Sequence, residues 1–157
     1  MNIYELIKNI ELQNILMTTV CIILMLLSLQ DIKKLQVSVK LLGALALISL
    51  LTGIDSIVIG DRKLWMQMLL LIPGSVLILL NLTDINIMGM ADSVIIMCLG
   101  MVFNIVQYVV AVSVALLLVF IWAAVVLAWQ KFRVEKKKQK IAMVPFLCMG
   151  TLVGSLL

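Results

Sequence analysis

Apolar residues fall along this chain in long blocks, and polar residues mark the gaps between them. The first block runs from Asn14 to Gln30, the second from Val39 to Ile59, and the third from Leu64 to Leu80. A longer block extends from Asp92 to Trp129, which is more than one helix needs. Asn104 and Gln107 mark its most polar point and divide it into a short fourth element and a full fifth. The sixth runs from Ile141 to Leu157. A helix crosses a hydrocarbon core of about 30 Å with roughly 20 residues, so each block is a candidate span. A β-barrel would require period-two alternation, and these blocks have none. Backbone groups in lipid must be satisfied within their own segment, which leaves the helix. The pattern predicts an all-α integral membrane protein, a polytopic bundle of about six transmembrane helices forming one domain over residues 1–157. Pro73-Gly74 predicts a kink in the third span, and Pro145 another near the start of the sixth.

Composition agrees and narrows the class. Of 157 residues, 64% are hydrophobic and 13% charged, and the mean hydropathy is +1.25. Soluble domains hold about 45–50% apolar and about 25% charged residues, so a soluble fold is excluded. High hydrophobicity excludes disorder. The length leaves no room for a separate soluble domain beside the spans. The N-terminal segment, with Glu5, Lys8 and Glu11, has neither a basic n-region nor a small-residue cleavage site, so no removable signal peptide is expected.

Charge sets an orientation. Lys33, Lys34 and Lys40 follow the first span, and Lys131, Arg133, Lys136, Lys137, Lys138 and Lys140 follow the fifth. With six spans these loops share one side, which holds nine of the twelve basic residues. The positive-inside rule places that side in the cytoplasm, with both termini outside a multi-pass cell membrane protein. The Lys131–Lys140 run then reads as an anchor on anionic lipid, and no nucleic-acid partner is expected. Trp65, Trp122 and Trp129 read as interfacial anchors, and the eleven methionines as flexible packing. Lys33 and Lys34 read as contacts to lipid phosphates.

The chemistry available is limited. The chain has no histidine, and Cys21, Cys98 and Cys148 are far apart inside apolar runs, so no metal or cofactor is expected. Of eight acids, six have ordinary placements: Glu5 and Glu11 in the N-terminal segment, Asp55 and Asp61 in an outer loop near Arg62 and Lys63, Asp84 after the third span, and Glu135 in the basic run. Asp31 and Asp92 remain. One ends the first span and the other opens the fourth, which runs in the opposite sense, so both fall at the cytoplasmic edge of the bilayer. Acidic residues at such depth are functional candidates. Taken singly, Asp31 also reads as an interfacial end residue beside Lys33 and Lys34, and Asp92 as a helix N-cap. As a pair they have a definite chemistry. Two carboxylates in contact do not both ionise easily and share one proton. The ionised partner activates a water and the protonated one polarises a peptide carbonyl. This scheme needs no histidine, metal or nucleophilic side chain.

Three motifs carry a resemblance to a known family. They are Ser28-Leu29-Gln30-Asp31-Ile32-Lys33-Lys34, then Met88-Gly89-Met90-Ala91-Asp92 with Leu99-Gly100 after it, and Lys136-Lys137-Lys138 followed by Val144-Pro145-Phe146-Leu147-Cys148-Met149-Gly150. In this order, from about residue 12 to the end, the chain resembles the type IV prepilin peptidases, membrane aspartyl proteases with a Gly-x-Gly-Asp signature. It departs from them at Ala91, which replaces the second glycine of the signature, at Ser93-Val94, at Val37-Ser38-Val39, and in the missing first proline of the last motif. The resemblance implies catalytic roles for Asp31 and Asp92, with Gly89, Met90, Ala91, Ser28, Pro145 and Phe146 binding substrate or shaping the site. It implies removal of a short leader from pilin-like precursors of the Flp (tight-adherence) or archaeal type at the cytoplasmic face. The extra domain of methylating members has no counterpart here, so peptidase activity alone is expected. Presenilin-type proteases share the signature but carry more spans.

Other readings stay open at this stage. A small transporter or assembly subunit would use Asp31 or Asp92 for protons or cations, and a decayed family member would keep the residues without the activity. Gly43, Gly53, Gly150 and Gly154 are candidates for close helix packing. The Gly150-x-x-x-Gly154 spacing serves either packing within the chain or a homodimer.

Overall fold

A computed structural model of the chain describes residues 3–34, 37–58, 64–83, 89–132 and 142–156. Asp61, Arg62, Lys63, Asp84, Glu135 and most of the Lys131–Lys140 run lie outside the described residues. The described residues form helices without strands: α1 (Ile3–Lys34), α2 (Val39–Val58), α3 (Leu64–Leu82), α4 (Met90–Val102), α5 (Ile105–Phe132) and α6 (Val144–Ser155). Four of them, α1, α2, α3 and α5, are long and apolar enough to cross a membrane. The 13 residues of α4 and the 12 of α6 reach only about 20 Å at a rise of about 1.5 Å per residue.

The break between α4 and α5 falls at Phe103-Asn104, where the polar pair divides the long apolar block. The chain turns there because Gln107 reaches back. Its Oε1 accepts the Asn104 backbone N–H at 3.3 Å, the return half of a capping box. Elsewhere the elements differ from expectation. Helix α1 begins at Ile3 rather than Asn14, since no glycine or proline interrupts the N-terminal polar segment. Asp55 lies on α2 rather than in a loop. Pro73 lies inside α3, as the sequence placed it. Pro145 occupies the first turn of α6, where its missing N–H has no helical partner to lose, so it starts that helix instead of kinking it.

The helices pack in the order α3, α4, α2, α1, α6, α5, and lesser contacts of α5 with α4 and α3 close the series. Val20, Leu24 and Leu27 form a buried stripe on α1 at helical spacing and join Leu45, Ile95, Leu99, Phe103, Val144 and Leu147 in one core. Outward faces stay apolar, with Phe120, Leu127 and Trp129 largely exposed, as lipid rather than water requires. Small residues set the tightest seam. A Cβ on Gly154 would lie 2.8 Å from the Gln107 carbonyl oxygen, and one on Gly150 would lie 3.1 Å from the Ala115 backbone nitrogen. The Gly150-x-x-x-Gly154 face is therefore filled by α5 of the same chain. Gly53 is also tightly enclosed, by Gln67, whereas Gly43 is exposed with nothing within 4 Å of its Cβ position and serves no packing.

Candidate functional site

Asp31 sits in the last turns of α1, four residues beyond Leu27, and so continues the buried stripe of Val20, Leu24 and Leu27. That register turns it inward, and only 8% of it is exposed. Its neighbour Lys33 is exposed. Lys33 faces out where Asp31 faces in. The Asp31 Oδ2 accepts the backbone N–H of Val144 at 3.2 Å. Val144 is the first residue of α6 and is fully buried. The opening amides of a helix have no partner within it, and they attract anions. Asp31 supplies such a partner from another helix.

Asp92 lies three residues after Gly89, the N-cap of α4. It is not itself the cap, as one sequence reading had it. Its carboxylate accepts the Gly89 backbone N–H, and the Asp92 and Ser93 amides donate to the Gly89 carbonyl at 3.0 and 3.2 Å. The turn thus folds the carboxylate back over Gly89. A Cβ at Gly89 would stand 2.8 Å from the Asp92 Oδ2. Gly89 has φ −61°, an ordinary value, so the glycine provides space rather than backbone freedom. Ala91 is inside α4, and a helical position asks for no positive φ. The second glycine of the resembling signature has no conformational task at this position.

Asp92 lies within electrostatic reach of Asp31, although α1 and α4 are not among the extensively packed helix pairs. Both carboxylates and the start of α6 thus share one end of the bundle. The other anticipated site residues differ in setting. Ser28, on α1, turns its hydroxyl back to the Met25 carbonyl at 3.1 Å. Met90 is exposed and Ala91 half-buried. Phe146 packs against Trp122 of α5, with ring centroids 6.3 Å apart, and Pro145 beside it is half-buried.

Sequence reasoning missed two parts of this end. One is the Val144 amide, which no side-chain motif announces, although a proline at the next position signals a helix start. The other is a polar tie beneath Asp92. The Asn81 Nδ2 donates to the Ser93 Oγ at 2.9 Å, and the fully buried Ser93 hydroxyl lies 3.4 Å from the Gly89 carbonyl. This tie joins the end of α3 to the turn that carries Asp92.

A second polar feature lies far along the bundle. The buried Gln67 donates through Nε2 to the Met101 carbonyl at 3.4 Å. Beside it an apolar cavity of about 170 Å³ is lined by Leu50, Ile54, Leu71 and Met101. It contains no titratable side chain. Among the described residues, no three Cys, Asp or Glu side chains gather closely enough to hold a metal ion. The three cysteines are free. Comparison with known protein families, curated proteins and solved structures gives no match.

Proposed function

We propose that this chain is a membrane aspartyl endopeptidase of the prepilin-peptidase type. The observation that carries the reading is that Asp92 lies within electrostatic reach of the buried Asp31, which comes from a different helix, at one end of the bundle. In this proposal the helices make six spans of a multi-pass cytoplasmic membrane protein, with both termini outside and the aspartates at the cytoplasmic edge. The substrate is the precursor of a pilin-like protein, whose hydrophobic helix lies in the same bilayer. Its leader junction then stands at the depth of the two carboxylates.

The chemistry requires one proton shared by the pair. The ionised carboxylate takes a proton from water as the water oxygen bonds to the scissile carbonyl carbon. The protonated partner gives its proton to the carbonyl oxygen. In the second step the first carboxyl gives its proton to the leaving nitrogen as the carbon–nitrogen bond breaks. The second takes a proton back from a hydroxyl of the intermediate, which restores the starting pair. No methyl transfer is part of the proposal.

The test is co-expression with the pilin-like precursor encoded nearest to the gene. The wild type is expected to shorten the precursor, and Asp31→Asn and Asp92→Asn are each expected to abolish shortening at equal membrane abundance. A transporter or assembly subunit would leave every precursor intact. Loss in only one variant would contradict the two-carboxylate mechanism.

A further inference from the structure

The first turn of α6 has an unusual hydrogen-bond distribution. Phe146 and Leu147 direct their amides to the Met143 carbonyl, at 3.1 and 3.2 Å. Pro145 has no amide hydrogen. Val144 is left with the turn's one outward-directed donor, and that donor meets the Asp31 Oδ2 at 3.2 Å. Val144 is fully buried, so water has no access to replace Asp31. Asp31 is itself 8% exposed. Rotating its carboxylate away would strand a buried donor and a buried acceptor together, and an unmade buried bond is more costly than a made one is favourable.

We infer that the Val144 backbone amide is a positioning group for the reaction: it holds Asp31 by Oδ2 and leaves Oδ1 as the oxygen that exchanges a proton at the reacting centre. The inference rests on the peptidase reading and deepens it. It makes α6 part of the site without giving any α6 side chain a chemical role. Pro145 contributes indirectly, because a residue with an N–H there would offer a competing donor. The described charged groups near this end are Asp92 on α4 and the exposed Lys33 on α1 and Lys40 on α2. None of these replaces a donor fixed in the backbone of α6.

The test removes the amide alone. Valine 144 is replaced by its α-hydroxy analogue, so that an ester oxygen stands where the N–H was. Cleavage of precursor in reconstituted vesicles is expected to lose about tenfold in kcat with KM unchanged, as suits a lost hydrogen bond to a charged group. Val144→Ala keeps the amide and trims a fully buried side chain, and its loss in kcat per folded molecule is expected to be smaller than that of the ester. An ester protein with wild-type kcat would overturn the inference, as would equal kcat losses in the ester and Val144→Ala. A wild type that cleaves no precursor would overturn the peptidase reading and the inference with it. A second measurement does not depend on activity or on the ester protein folding. The Val144 amide proton resonance of the wild type is expected downfield, and Asp31→Leu is expected to shift it upfield. An unmoved resonance would overturn the inference alone.

Discussion

Gly89→Ala is the sharpest perturbation of the site, because it adds one methyl group and nothing else. The new Cβ would stand 2.8 Å from the Asp92 Oδ2 and 3.6 Å from its carboxyl carbon. The carbon distance is an ordinary contact, and the oxygen distance is not. Relief to about 3.4 Å requires the oxygen to move by about 0.6 Å, away from the Gly89 N–H that it accepts. The backbone has no objection to alanine at φ −61°, and alanine at an N-cap is disfavoured against glycine by roughly 1 kcal/mol. The fold therefore tolerates the change while the carboxylate is displaced. A misplacement of about 1 Å at a reacting centre costs roughly 10²-fold in rate, so about tenfold is expected here. The assay is precursor cleavage by reconstituted protein at saturating substrate, with detergent-induced unfolding measured in parallel. A Gly89→Ala protein that unfolds like the wild type and cleaves at the wild-type rate would refute the argument that Gly89 is kept clear for the Asp92 carboxylate.

Two further outcomes follow from the packing. Gly150→Ala is expected to destabilise by about 1–3 kcal/mol, because its new Cβ meets backbone atoms of α5 that cannot rotate aside. Gly43→Ala, with open space around it, is expected to be neutral or to stabilise by roughly 0.5–1 kcal/mol; equal unfolding midpoints for the two variants would contradict the seam. Ser93→Ala strands the Asn81 amide at the base of the Asp92 turn and is expected to cost about 1–2 kcal/mol. A double-mutant cycle with Asn81→Leu should return a coupling of about 1 kcal/mol, and a coupling of zero would remove the tie.

The sequence carries the apolar parts of this architecture in plain view. Asn104 and Gln107 place the break between α4 and α5 because two amide side chains this close together inside the long apolar block have to go to a turn or a cap. The facing of Asp31 was not legible, because α1 is apolar on every side and only the structure selects Val20, Leu24 and Leu27 as its buried stripe. What was hidden is backbone chemistry and pairing across helices. Nothing in the letters Val144-Pro145 says which acceptor the free amide will find. Ser93 and Asn81 are unremarkable alone and meaningful only when α3 lies against α4. Gly150 and Gly154 have the right spacing for a dimer, and only the position of Ala111 and Ala115 assigns them to the interior. Asp55 near basic residues resembled a loop acid because charge neighbourhood in sequence does not reveal where a helix ends.

The central claim is that residues 31 and 92 meet at one end of the bundle, and cross-linking tests it most directly. Asp31→Cys and Asp92→Cys are combined in a chain whose three native cysteines are replaced by alanine, and native membranes are treated with a short bifunctional thiol reagent. An intramolecular link between positions 31 and 92 is expected, and none between positions 31 and 67, where Gln67→Cys samples the Gln67–Met101 contact on α3 and α4. Absence of the 31–92 link, with both thiols reactive singly, would contradict the account.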